Sequence, residues 1–236
     1  MGAFNIPAPC INIIAAHTTI AMDFDTVQDL HSPATANSKR TGIICVLGSI
    51  ALVMSYNTAT KLTTGVALGL CNHQASRLIS LVQSIPEVSQ VPMMLPLLLI
   101  NILSETCAHR VLGRKQAIVR LEVDLGVHWS VQADLRPQDM SLEAATRQLT
   151  VYGSEVPWDL HSIEAQLELV TLVSEVQESI NDQNTPYAKH SSAMTAFRAR
   201  SRRIRQTLSG LMHWAKYNQQ RIQVQLQTVG RSLSMH

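Results

Sequence analysis

Four carboxylates, Glu164, Glu168, Glu175 and Asp182, follow one another at intervals of four and seven residues. On a helix those intervals bring side chains to one face. A row of carboxylate oxygens is the donor set that hard divalent cations take, so this face is a candidate site for a divalent cation such as Mg2+. Sixteen residues further on, the run Arg198-Ala-Arg-Ser-Arg-Arg-Ile-Arg205 packs five guanidinium groups into eight residues. Guanidinium groups bind phosphate oxygens in pairs, which points to phosphates, a nucleic-acid backbone or an anionic membrane surface. The same run fits a nuclear address. A plainer reading treats both sets as solvated helix faces whose like charges discourage mispairing.

Other reactive residues are scattered. Cys10, Cys45, Cys71 and Cys107 form no CxxC pair, which argues against a zinc ribbon or finger. The nine histidines never fall at i, i+3 or i+4. No GxSxG, HExxH, GxGxxG or phosphate-loop pattern is present, and the chain reads as non-enzymatic. The arginine run has no nucleic-acid-binding motif beside it and no interleaved aromatic residues for base stacking, which disfavours nucleic acid.

Which elements would carry these side chains? Hydrophobic residues make up 46% of the 236 and aromatic residues 4%, so the core is aliphatic. The apolar runs Ile43–Met54 and Met93–Leu103 are each about a dozen residues, short of the roughly 20 that a spanning helix needs, and read as buried core. With no such segment and no basic leader, the expected location is cytoplasmic. Residues 1–41, with Pro7, Pro9 and Pro33, read as a poorly structured segment. Gly42–Tyr56 and Leu62–Leu70 are rich in β-branched and small residues and read as strands of a small sheet, with a turn at Asn57–Thr60.

From Gln74 the pattern becomes helical. A short helix stops near Pro86. A long one runs from about Pro92 to Val127, with Gly126 as its cap. The next is capped by Ser141 or Asp139, with Gly153 and Pro157 expected to divide it. After a turn at Asn184–Pro186 comes the last helix, about 186–229, and then a tail, 230–236. Placed at 100° per residue, Phe197, Ile204, Leu208, Leu211, Ile222, Leu226 and Val229 fall in one narrow stripe, a packing seam. About 43 residues at 1.5 Å each make a rod of roughly 65 Å. Arg198, Arg202, Arg205 and Lys216 lie opposite that stripe and form a candidate anion or partner surface, while Arg200, Arg203 and Arg221 flank it. From Gln183 onward no acidic residue occurs, whereas Gln138–Asp182 holds nine acidic residues against one arginine, Arg147. The two segments read as a long antiparallel helical hairpin. The fold class is α/β (α+β) and helix-dominated.

Four strings carry a resemblance when read in order: Lys61-Leu-Thr-Thr-Gly-Val-Ala-Leu-Gly69, Val91-Pro-Met-Met-Leu-Pro-Leu-Leu-Leu-Ile100, Arg120-Leu-Glu-Val-Asp-Leu-Gly-Val127 and Arg221-Ile-Gln-Val-Gln-Leu-Gln-Thr-Val229. This order, over about residues 42–229, resembles the cytosolic part of the divergent, fungal-type CorA-like magnesium transporters. The resemblance implies a small α/β domain followed by a stalk helix, and divalent cations bound between the cytosolic domains of five protomers. It also implies that homologous copies or full-length relatives are partners. In that family the stalk leads into a pore helix that ends in Gly-Met-Asn. This sequence contains no Gly-Met-Asn. The transport activity is therefore not carried over, and a structural or regulatory role is expected.

Overall fold

The computed structural model describes residues 21–25, 40–47, 50–57, 62–85, 88, 91–125, 141–183 and 192–234. Residues 58–60 of the expected Asn57–Thr60 turn, the Asn184–Pro186 turn, the Gly126 cap and the alternative Asp139 cap lie outside them. The protein is helix-dominated, with one antiparallel four-stranded sheet in the order β1-β2-β3-β4: β1 Ala21–Asp25, β2 Arg40–Leu47, β3 Ile50–Asn57 and β4 Leu62–Leu68. Four helices follow: α1 Asn72–Ser84, α2 Met94–Asp124, α3 Leu142–Gln183 and α4 Ser192–Ser234.

Within the segment read as poorly structured, 1–41, the described residues Ala21–Asp25 form strand β1. Ala21–Asp25 pairs with β2 from Ala21↔Cys45 to Asp25↔Thr41. Five residues carry too little periodicity to announce a strand, and the hydrogen bonds that hold this one come from a partner about twenty residues away. Between β4 and α1 the chain turns at Gly69, whose φ of 78° suits glycine. Helix α1 starts at Cys71, whose N–H is taken by Gln74 Oε1 at 3.1 Å. Pro96 lies in the first turn of α2, where the missing N–H costs nothing because those donors have no intrahelical partner. Ser141 Oγ accepts from the Ala144 N–H at 3.2 Å and caps α3.

Helix α3 is not divided at Gly153 and Pro157, as the residue types led us to expect. It runs unbroken for 42 residues with Pro157 inside it. Pro157 faces solvent, where water can satisfy the carbonyl that loses its donor. The buried Leu149, Val156 and Ile163 hold the helix on either side. Helix α4 starts later than expected, at Ser192, and continues past Gly230 to Ser234.

The chain divides into two compact units, residues 1–103 with 165–205 and residues 104–164 with 206–236. In the first, Leu52 and Met54 of β3, Leu97 and Leu98 of α2, Val170 and Val173 of α3, and Phe197 and Ile204 of α4 are buried. Gly65 of β4 comes so close to β3 that a Cβ there would stand 3.2 Å from the Val53 carbonyl oxygen. A polar ladder runs through this apolar interior. Gln177 Oε1 accepts from the Met93 N–H at 3.1 Å, and its Nε2 donates to Asn181 Oδ1 at 3.1 Å. In the second unit Ile118 and Leu121 of α2, Ala145, Leu149 and Val156 of α3, and Ile222 and Val229 of α4 form one cluster, with Leu226 packed against it.

Helix α2 joins the apolar run Met93–Leu103 to the more polar residues up to Asp124 in one long helix. By length and a mean hydropathy of 1.2 it is the one described helix long and apolar enough to cross, and 56% of that window is buried inside the protein.

Candidate functional site

The arginine run occupies two turns of α4 in the first unit. Arg198, Arg202, Arg203 and Arg205 are exposed, while Phe197 and Ile204 turn inward, 1% exposed each. Between them the small Ser201 is also buried, and its Oγ lies 2.9 Å from Ser174 Oγ of α3. Two serines at that point let the helices approach closely and satisfy each other's hydroxyls.

Arg198 departs from the helical-wheel reading that sets it opposite the seam. Its Nε and Nη2 donate to Glu178 Oε1 and Oε2 of α3 at 2.9 and 3.0 Å. An arginine stem is long enough to lie along the helix surface and bring its head to a neighbour. Arg202, Arg203 and Arg205 are exposed, and among the described residues none of them forms an ion pair. Lys216, in the second unit, is exposed as well.

The acidic residues do not assemble. Glu164, Glu168, Glu175 and Asp182 all lie exposed on α3. Glu168 and Asp182 are fourteen residues apart, about 21 Å along the helix. Among the described residues no three His, Cys, Asp or Glu side chains come together as a group that could hold a metal ion. Ser174, Glu175, Glu178, Ser179 and Asp182 line an open hollow of about 630 Å³, and Glu178 there is already engaged by Arg198.

The second unit holds the polar cluster that the sequence reading passed over. Asp159 of α3 sits between two arginines of α2. Arg114 bonds one carboxylate oxygen, and Arg110 Nε lies 3.3 Å from the other. Arg114 also reaches Glu155 at 2.9 Å. Burial pushes the Asp159 carboxyl above the usual aspartate range, with Glu155 adding to the push while both arginines oppose it. Burial likewise pushes the Cys107 thiol up, the opposite of what an attacking thiolate needs. Beyond it, Arg221 of α4 forks onto Glu122 of α2, and Gln225 Nε2 donates to the same carboxylate at 3.3 Å. Lys115 Nζ stands 3.6 Å over the Trp214 ring, and Trp214 meets Tyr217 edge-on at 5.8 Å.

A signal for the first cluster was present in the sequence. Arg110 and Arg114 are four apart on one predicted helix, as are Glu155 and Asp159 on the next, so each pair shares a face. What these groups do in the structure is tie α2 to α3 and α4. Comparison with protein-family models, curated proteins and solved structures finds no match to the chain.

Proposed function

We propose that these residues form a CorA-like cytosolic domain with a structural or regulatory part in divalent-cation transport, in which α4 is the stalk. The observation that carries this reading is α4 itself, 43 residues in one uninterrupted helix. Its seam residues Phe197, Ile204, Leu208, Leu211, Ile222 and Val229 are at most 5% exposed. The element order, a small sheet and a short helix before three long helices, supports the same reading.

The ion concerned is Mg2+. The exposed carboxylates of α3 are spread along one chain, so ligands from more than one chain would have to converge on it. A ligand that binds the folded state raises the melting midpoint. Millimolar Mg2+ is therefore expected to raise Tm, and to raise it more at higher protein concentration. An unchanged midpoint with Mg2+ at every protein concentration would count against a cation-regulated domain.

A second reading rests on Arg202, Arg203 and Arg205, exposed and without ion pairs among the described residues. We infer that this face serves as a phosphate- or nucleic-acid-binding surface if the protein is instead a binding module. Polyanion affinity should then fall steeply between low and physiological salt. A flat salt dependence rules this reading out.

A further inference from the structure

Within the second unit the α4 seam has two interleaved rows. Leu208, Ala215, Ile222 and Val229 follow at intervals of seven, and Leu211, Asn218 and Gln225 do the same. Leu208, Leu211, Ala215 and Ile222 are at most 5% exposed, and Asn218 among them is 1% exposed. Its Nδ2 donates to the Val111 carbonyl oxygen of α2 at 3.2 Å. Its Oδ1 is buried and has no partner among the described residues.

Stability does not account for an asparagine in that place. A buried acceptor left unmade costs at least as much as one neutral hydrogen bond contributes. An aliphatic side chain there would also bury more apolar surface. In helix seams a single buried asparagine has a known effect, which is to fix axial register at a cost in stability. The arrangement it opposes here is a slip of α4 along α2 by one turn, about 5.4 Å, a step that packed helices do take. After such a slip Leu208 stands where Leu211 was, and Leu211 where Ala215 was, aliphatic for aliphatic. Asn218 then stands in the place of Ile222, in the cluster with Ile118 and Leu121, with neither end of its amide answered. Three residues further on, the fork of Arg221 on Glu122 ties the same two helices.

We propose that Asn218 is a register lock: with the Arg221–Glu122 fork as a second tie, it holds α4 in one axial position on α2, which the aliphatic seam by itself does not. The lock stands whether or not the protein takes part in cation transport.

Methyl NMR of the full chain tests this in three proteins. The wild type and the double variant Glu122→Leu with Arg221→Met should each give one set of Ile222 and Val229 methyl signals. Adding Asn218→Leu to the double variant removes the last tie. That triple variant should unfold at a urea concentration no lower than the double. It should show a second set of Ile222 and Val229 signals, at roughly one tenth of the first or more. The second set should lack the methyl contact between Ile118 and Ile222. Where leucine is too large for the place, Asn218→Ala on the same background is read by its methyl spectrum alone. One sharp set of signals without Asn218 overturns the proposal. So does a second set already present in the double variant, because the fork would then be the lock. Unfolding of both Asn218 variants overturns it too, because the asparagine would then hold the fold together by its bond.

Discussion

Arg221 of α4 lays its guanidinium fork across the carboxylate of Glu122 of α2, with Nε 2.9 Å from Oε1 and Nη2 on Oε2. Their side chains are 15% and 5% exposed. Burial holds the Arg221 guanidinium below its ordinary value, yet the bidentate geometry and Gln225 satisfy the carboxylate. A pair like this costs a great deal to desolvate and a great deal to break, while its net contribution against an apolar replacement is small.

Glu122→Ala leaves Arg221 charged in a largely buried place. The expected loss is ~3–5 kcal/mol. The double variant Glu122→Leu with Arg221→Met should recover most of it. Urea unfolding of the two singles and the double measures both. A Glu122→Ala loss below about 1 kcal/mol would show that the pair is solvated in solution, since exposed pairs contribute in that range.

Asp159 predicts a pH effect. Its carboxyl is raised in the folded protein, so folding favours the protonated form. The stability it contributes is fully present below the ordinary aspartate value and is lost as pH rises through the raised one. Between those two values Asp159→Asn should show a flatter stability-versus-pH curve than the wild type. Melting curves taken across the acidic range decide this. Identical slopes for the two proteins would show that the arginines fully offset burial.

The seam and the basic face of α4 should respond very differently. Leu208 is fully buried, and Leu208→Ala should cost ~2–5 kcal/mol. Arg202→Ala and Arg205→Ala, at exposed positions, should stay within about 0.5 kcal/mol of the wild type. Arg198→Ala removes a half-exposed pair and should cost ~0–1 kcal/mol, less as salt rises. Chemical denaturation at two salt concentrations separates the three cases.

Pro157 stands inside α3 on its solvent side. Pro157→Ala restores a backbone donor and should stabilise the protein by up to about 3 kcal/mol. A loss of stability on the same substitution would show that the helix is bent there to fit its neighbours.

Much of the architecture was readable from the residues in order. The stripe Phe197, Ile204, Leu208, Leu211, Ile222, Val229 repeats at the helical period, and a period is a local property that survives whatever the chain packs against. The β-branched content of 42–70 announces strands for the same reason. Pro157 was misjudged because a propensity of a few kcal/mol competes with burial of Leu149, Val156 and Ile163, a tertiary effect. Strand β1 was missed because its hydrogen bonds come from β2.

By itself, then, the sequence determined the succession of strands and helices, the apolar seam of the last helix and the separation of acid from base between α3 and α4. Tertiary structure alone decided which charges are buried and answered. Glu122 looks like any other surface carboxylate in the chain order, and Asp159, though four residues from Glu155, carries no sign there of the arginines it meets. Both carboxylates become structural because α2 sets Glu122 beside Arg221 of α4, and Arg110 and Arg114 beside Asp159 of α3. Glu164, Glu168 and Glu175, with the same chemistry and a more regular spacing, remain in solvent. A carboxylate's fate depends on the element opposite it, and no local period encodes that.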